Sequence, residues 1–246
     1  MKRLLCVAGL MALALSLGGC ATPTKMPFAK GAEKGTAGVG PILLMTATIK
    51  NTHHPTFQPE LLVVNVETPE AKAKAQRFNF VKDDYADLVP PKVQAKKNKK
   101  AKAESGDPAS TEGHTYLIRL QLPPGDYMIR GLTSMSQSFP IIASFFAPMH
   151  SPLKVSEGGV IYLGHVDATV RERQGEEFRA GPVIPLIDQA AAGASGGTFD
   201  VVISDRLETD EKIFRERFAQ LANVEIRKSI LPPFDRDAAQ KWWKEH

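Results

Sequence analysis

The sequence predicts a mainly β protein, an antiparallel β-sandwich followed by C-terminal helices. Short apolar or alternating segments recur along residues 41–204, and turn residues such as Gly, Pro and Asn separate them. A helical spacing of apolar residues occurs only within residues 205–246. An alternating α/β fold would place a helical segment after each strand, so this pattern argues against it.

The clearest β signal predicts a hairpin. Residues 116–122 and 127–132 alternate apolar and polar side chains on either side of a turn at 123–126. We expect Gly125 in this turn to adopt a backbone conformation that strains a β-branched residue, so that Gly125→Val would destabilise the fold. The other predicted strands are 42–50, 61–66, 77–82, 160–171 and 199–203.

The strand 160–171 is expected to be buried on one face and partly wet on the other. His165 and Asp167 belong to the wetter face. Residues 152–155 are expected to pair with this strand across the turn at 157–159. The expected buried face consists of Val160, Tyr162, Gly164, Val166, Ala168 and Val170.

Two helices are expected near the C-terminus. Asp210 and Glu211 lie in the first turn of the helix 209–222, where the macrodipole stabilises acidic groups. Asp235 can cap a last short helix. The apolar side of the first helix consists of Ile213, Phe214, Phe218 and Leu221. The last helix ends in Lys241, Trp242, Trp243 and Lys244. We favour docking of this cluster on the body over a membrane-interface anchor, because the segment is short.

Three segments lack the large apolar groups that a core needs. Residues 20–40 are expected to form a flexible tether. The lysine-rich stretch 92–113 and the Ala/Gly/Ser stretch 189–197 are expected to be mobile loops outside the core. The domain prediction is therefore a leader at 1–19, the tether, a β domain at 41–204 and a helical extension at 205–246.

The first twenty residues predict export. Lys2 and Arg3 precede an apolar run at 4–17, whose length of about 21 Å is short of the roughly 30 Å of a bilayer core. Leu17, Gly18, Gly19 and Cys20 resemble the lipobox of bacterial lipoproteins. The resemblance implies cleavage before Cys20 and attachment of lipid to its thiol. The alternative is an ordinary secretory signal that leaves Cys20 as a free thiol.

The cysteine count favours lipid attachment. The chain has two cysteines, and Cys6 belongs to the leader, so the mature protein keeps only Cys20 and no disulfide is expected. Two or three acyl chains at one residue anchor a protein firmly. The residue after Cys20 is Ala21 and not an aspartate, which at this position would resemble an inner-membrane retention signal. The expected address is the outer membrane, facing the periplasm, if the host has two membranes.

The net charge of +4 is concentrated in a few places. Residues 92–102 contain six lysines and no Asp or Glu; the lysines are Lys92, Lys96, Lys97, Lys99, Lys100 and Lys102. The leader and the tether carry more of the positive charge, and the rest of the chain is mildly acidic. This distribution is not that of a nucleic-acid binder. The lysines are candidates for contact with an anionic surface, although a solvated insertion is an equally simple interpretation.

The expected hairpin carries a family resemblance. Leu122, Pro124, Gly125 and Tyr127 resemble the Leu-x-Pro-Gly-x-Tyr element of prealbumin-like and carboxypeptidase-regulatory-like β-sandwich domains. They also resemble a group of bacterial lipoproteins of unknown function. The resemblance covers about residues 41–171. It implies a stalk, an adaptor or a binding module, and it supplies no catalytic residue.

The sequence offers no recognisable catalytic or metal motif. A Gly-x-Ser-x-Gly elbow is missing, and 193–196 is better explained as a flexible spacer. His165 and Asp167 share a strand face, but two ligands do not make a metal site. The neighbouring carboxylates at 83–84 and 176–177 cannot converge across a substrate. No metal and no cofactor are expected.

These observations predict a non-enzymatic, lipid-anchored binding or scaffold module of the cell envelope. Its expected partners are the membrane, through the lipid, and an envelope protein or glycan. One alternative is an envelope hydrolase whose site is assembled from distant residues. Another is an electrostatic binder of anionic glycan or lipid through the lysine-rich stretch.

Overall fold

A computed structural model describes residues 40–69, 75–81, 86–89, 113–156, 158–182 and 187–245. The predicted leader, nearly all of the tether and the lysine-rich stretch up to residue 112 lie outside these ranges. The carboxylates at 83–84 lie outside them as well.

The described chain is mainly β, with two sheets and a C-terminal helical region. The strands are β1 (Ile42–Asn51), β2 (Glu60–Glu67), β3 (Arg77–Val81), β4 (Ala86–Leu88), β5 (His114–Gln121), β6 (Gly125–Ser138), β7 (Ile141–Val155), β8 (Val160–Glu172), β9 (Gly197–Ser204) and β10 (Ile226–Lys228). The helices are α1 (Ile187–Ala191), α2 (Leu207–Arg217) and α3 (Arg236–Glu245), and a 3₁₀ turn at Ala219–Leu221 follows α2.

One sheet is mixed and the other is antiparallel. The mixed sheet has the order β10, β8, β1, β5, β4, and β9 pairs with β8 beside β10. Its β1–β8 and β10–β8 pairs are parallel. The antiparallel sheet has the order β3, β2, β6, β7. The expectation of purely antiparallel pairing is therefore wrong, because the crossovers return β8 and β10 in the direction of β1.

The expected hairpin at 116–132 does not form. β5 pairs with β1 and β4 in the mixed sheet, whereas β6 pairs with β2 and β7 in the antiparallel sheet. The turn at 123–126 is a corner between the sheets. Leu122 and Tyr127 are buried on either side of it, and the Tyr127 hydroxyl donates to the Pro123 carbonyl at 2.9 Å. Gly125 starts β6 without a left-handed conformation, so the expected strain at this residue is wrong too.

The same correction applies to residues 152–155. They belong to β7, which pairs with β6 from Gly125–Val155 at one end to Ser138–Ile141 at the other. The chain then crosses to the mixed sheet at β8. The hairpin that forms is thus β6–β7, closed by Phe139 and Pro140, which are joined by a cis peptide bond.

The main core contains apolar side chains from both sheets. A second, smaller cluster lies on the opposite face of the mixed sheet, beneath α2. Three of the four residues predicted as the apolar side of this helix, Phe214, Phe218 and Leu221, are buried there, each at most 6% exposed. α2 ends at Arg217 rather than near 222, because Phe218 has an extended backbone (φ −124°, ψ 96°).

Residues 189–197 belong to the core, so their expected place outside it is wrong. The segment contains the end of α1, a compact turn and the first residue of β9. Ala192 and Ala194 are fully buried in the main core. The small side chains that suggested a spacer instead permit close packing between backbone segments.

In the described part of the chain, every helix is too short or too polar to cross a membrane.

The close approach of β7 to Gly131 allows the fold to be tested with two alanine variants, one at Gly131 and one at Gly125. A Cβ atom at Gly131 would lie 2.3 Å from the Ala147 carbonyl oxygen and 2.8 Å from Phe146 Cζ. Gly131→Ala should therefore lower the free energy of unfolding by about 1 to 3 kcal/mol, the usual cost of overpacking. At Gly125 the nearest atom is 3.5 Å away, in the Tyr127 ring. Gly125→Ala should change the free energy of unfolding by less than about 0.5 kcal/mol. Equal losses in urea unfolding would contradict this arrangement.

Candidate functional site

The residues that the sequence singled out for binding are not among those that the structure describes. Cys20 and all six lysines of 92–102 lie outside the described ranges. The site is therefore sought among the polar groups of the described residues, starting with the histidine that the sequence placed beside an acid.

His165 belongs to a buried polar cluster formed by Thr46, Tyr162, His165 and Asp210. Thr46 lies in the middle of β1, Tyr162 and His165 lie on β8, and Asp210 lies in the first turn of α2. Each of the four side chains is at most 4% exposed. The cluster lies between the mixed sheet and α2, and it does not include Asp167, which is paired with Lys50 at 3.5 Å.

A β-bulge at Gly164 brings Tyr162 and His165 to the same face. Three residues apart, they would face opposite sides of a regular strand. Gly164 has φ +111°, and the register between β1 and β8 shifts between Leu44 and Thr46. The expected face assignment is therefore wrong for Val160 and Tyr162, which belong to the cluster beneath α2, whereas Leu163 and Val166 both belong to the main core. The expected wetter face is wrong for His165, which is 3% exposed.

Short hydrogen bonds converge on one carboxylate oxygen. The Thr46 and Tyr162 hydroxyls both donate to Asp210 Oδ2, each at 2.5 Å. Thr46 Oγ1 also lies 2.8 Å from His165 Nδ1. The cluster thus fastens the first turn of α2 to β1 and β8.

The hydrogen bonds determine which nitrogen of His165 carries the proton. The single hydroxyl proton of Thr46 goes to Asp210, so His165 Nδ1 must donate to Thr46 Oγ1. His165 Nε2 is then a lone-pair acceptor. It is buried and has no hydrogen-bond partner among the described residues. A second proton at Nε2 would be a buried donor without an acceptor, which is unfavourable.

The electrostatics agree with a neutral imidazole. Burial lowers the pKa of His165, and the positive charges of Arg206 and Lys50 lower it further, while Asp210 and Asp167 oppose them. Burial and the contact with Asp210 raise the pKa of the Tyr162 hydroxyl well above its usual range. The described cluster is closed to solvent by α2, so its geometry supports attachment of a helix rather than attack on a substrate.

The other histidines do not join this cluster. His53 and His54 are edge to face at 4.3 Å, and burial and the charge of His54 lower the pKa of His53. His114 approaches the Pro59 carbonyl, and His150 approaches Arg130. Within the described ranges, no group of three or more His, Cys, Asp or Glu side chains has the arrangement of a metal site.

Glu177 is part of an ion-pair network, not of a carboxylate pair. It binds Arg171 at 2.6 Å and Arg236 at 3.2 Å, and both arginines also bind Asp200. These contacts, chiefly the hydrogen bonds from Arg171, lower the pKa of Glu177 to about 2. The network joins β8, β9 and the start of α3, so it has a structural role.

The C-terminal tryptophans dock on the body. The Trp242 ring lies 4.9 Å from His150 and 5.8 Å from Phe146, and Trp243 packs against the main core. Asp235 accepts a hydrogen bond from the Ala238 backbone N–H at 2.9 Å and caps α3 as predicted. Of the two interpretations of this cluster, these contacts favour docking.

Sequence reasoning missed three members of the buried cluster. The sequence accounted for Asp210 as an acidic residue in the first turn of a helix and for Tyr162 as part of the buried face of strand 160–171. Thr46 was one residue of an apolar run. The available signal was Gly164 between Tyr162 and His165, since glycine inside a strand often marks a bulge.

No protein-family model, no curated protein and no solved structure matches the chain.

The buried, neutral His165 predicts acid sensitivity. Because its pKa is lower in the folded chain than in the unfolded chain, the unfolded chain binds more protons as the pH falls below about 6.5. The free energy of unfolding therefore falls as the pH is lowered from about 6.5 to the pKa of His165 in the folded chain, by at most about 1.4 kcal/mol per pH unit. In His165→Asn, whose amide can donate to Thr46, this part of the slope should disappear. Urea unfolding of both proteins between pH 7.5 and 5 measures the difference, and identical slopes would contradict the assignment.

Proposed function

We propose that this chain is a lipid-anchored, non-enzymatic lipoprotein of the cell envelope that acts as a binding or scaffold module. The observation that carries the proposal is the succession of Lys2 and Arg3, the apolar run 4–17 and the Leu17-Gly18-Gly19-Cys20 motif. The proposed address is the outer membrane, facing the periplasm, in a host with two membranes. The proposed anchor is lipid on Cys20.

The fold supports a module that presents surfaces. We propose that the two sheets pack face to face as a β-sandwich, since residues of both contribute to one main core. The titratable side chains considered above for catalysis have structural partners. His165 and Asp210 hold α2, and Glu177 holds the start of α3. These contacts favour a rigid body over the alternative of an envelope hydrolase, for which α2 would have to leave the sheet.

The anchor is tested with a matched pair of cysteine variants. Cys20→Ala should block lipid transfer and leave uncleaved precursor in the inner membrane. Cys6→Ala lies in the proposed leader and should mature normally. Incorporation of labelled palmitate and membrane fractionation measure both outcomes. Normal maturation of Cys20→Ala, or a parent chain without label, would refute the lipoprotein assignment.

The six lysines favour a second, electrostatic function. They lie in a stretch, 92–102, that contains no Asp or Glu, and each lysine close to anionic headgroups contributes about 1 kcal/mol at most. The contribution declines beyond a Debye length of about 8 Å, so this contact should depend on salt.

A charge-retaining control tests this contact. In the chain begun at Ala21, replacement of all six lysines by Gln should abolish the salt-sensitive part of retention on anionic vesicles. Replacement by Arg should preserve it. Neither change should move the unfolding midpoint, because a charged run without apolar groups adds little to a core. Retention that is equal in the Gln and Arg proteins at low salt would eliminate electrostatic binding by these residues.

A further inference from the structure

The end of the β6–β7 hairpin projects beyond the rest of its sheet. The last residue of β6 that pairs with β2 is Met135, opposite Glu60. β6 and β7 continue to pair with each other as far as Ser138 and Ile141. We call residues 137–142 the hairpin tip.

The hairpin tip presents apolar side chains to solvent. Phe139 is 97% exposed, more than any other large apolar side chain in the described part of the chain, and Ile142 is 47% exposed. Pro140 between them is exposed as well. Water is an unfavourable surrounding for these groups, so an apolar environment would stabilise them.

The part of the hairpin nearest the tip is also free of ionisable side chains. Between Arg130 and His150, residues 131–149 contain no Asp, Glu, Lys, Arg or His. Moving a charged group out of water is costly, whereas the exposed polar groups of the tip are the neutral side chains of Gln137 and Ser138. The tip can therefore enter a medium of low polarity without desolvating an ionised side chain.

We propose that the hairpin tip inserts into the boundary between headgroups and acyl chains of a lipid bilayer, with Phe139 and Ile142 as the inserted side chains. A protein partner is less suited to this surface, because stable protein interfaces bury about 800 Å² on each partner and need a complementary shape. A narrow convex tip offers far less area. A bilayer needs no preformed pocket and accepts such a tip directly.

The tip can reach the bilayer that holds the proposed anchor. Gly40 lies near the Leu122 carbonyl, beside the start of β6. The tip is at the other end of this 14-residue strand, about 46 Å away at 3.3 Å per residue. The twenty residues from Ala21 to Gly40 span up to about 66 Å when extended. The inference thus adds a second membrane contact and rests on the proposed function only for the identity of the bilayer.

A fluorescent label beside Phe139 tests the insertion. The full chain with Ser138→Cys is labelled with an environment-sensitive dye and reconstituted into phosphatidylcholine liposomes that contain nitroxide-labelled acyl chains. We expect the nitroxide to quench the dye, and added salt to leave the quenching unchanged. Phe139→Ala should reduce partition of the tip about tenfold, as expected for the loss of a buried aromatic ring, and Phe139→Asp should abolish quenching.

Two matched controls separate insertion from general proximity. Val202 is 59% exposed on β9, and Val202→Asp should leave quenching at position 138 unchanged. A dye on Glu208→Cys in α2 should not be quenched. Because Phe139 is almost fully exposed, Phe139→Asp should also keep the parent unfolding midpoint. That result would show that lost quenching does not reflect unfolding.

The outcomes distinguish the tip from the anchor. Liposomes that carry the protein without quenching at position 138, or quenching that survives Phe139→Asp, would overturn the insertion. A parent chain that does not float with liposomes, or that takes up dye at Cys20, would overturn the anchor instead. In that case, nitroxide liposomes added to the unanchored chain should still quench the dye at position 138. Absence of quenching would then refute insertion of the hairpin tip as well.

Discussion

The strand β1 organises the structure because it is paired along both edges and covered on both faces. It is antiparallel to β5 and parallel to β8, and its residues alternate between the main core and the cluster beneath α2. Such a strand needs apolar residues at successive positions, which explains the run Ile42–Met45. Thr46 interrupts this run, and its hydroxyl becomes the point at which β8 and α2 are attached. A hydrogen-bonded hydroxyl is stable there, whereas an unpaired one would cost about 1 to 3 kcal/mol.

The mixed sheet requires the chain to cross between sheets rather than to fold into successive hairpins. Among the described strands, the chain changes sheet four times, between β1 and β2, β3 and β4, β5 and β6, and β7 and β8. These crossings leave β7 at the edge of the antiparallel sheet, where exposed backbone groups invite pairing with other chains. The edge is covered in its middle. The Phe146 N–H donates to the Ala180 carbonyl, the Ser144 N–H donates to Gln189, and Pro148 has no N–H to offer.

Two groups of polar residues attach helices to the sheets, and they differ in their exposure to solvent. The buried cluster around Asp210 excludes water and holds His165 neutral. The network of Arg171, Glu177, Asp200 and Arg236 is partly exposed, so solvent screens its ion pairs and each contributes little alone. Together they fasten α2 and α3 to the sheets. Neither group involves the uncharged end of β6–β7, where the Phe139 ring is 97% exposed.

The local sequence determined the elements whose cause is local. Apolar or β-branched runs placed β1, β2 and β9 close to their observed ranges. The predicted apolar residues Phe214, Phe218 and Leu221 are buried, and Asp235 was correct as a cap. The pattern on which the proposed anchor rests, Lys2 and Arg3, the apolar run 4–17 and Leu17-Gly18-Gly19-Cys20, is local as well. Only the tertiary structure decided which strands pair. A turn such as 123–126 suits a hairpin and a corner equally, and the choice depends on where Leu122 and Tyr127 are buried. The buried cluster was decided in the same way, because Thr46 and Asp210 are distant in sequence and meet only when α2 packs over the bulge at Gly164.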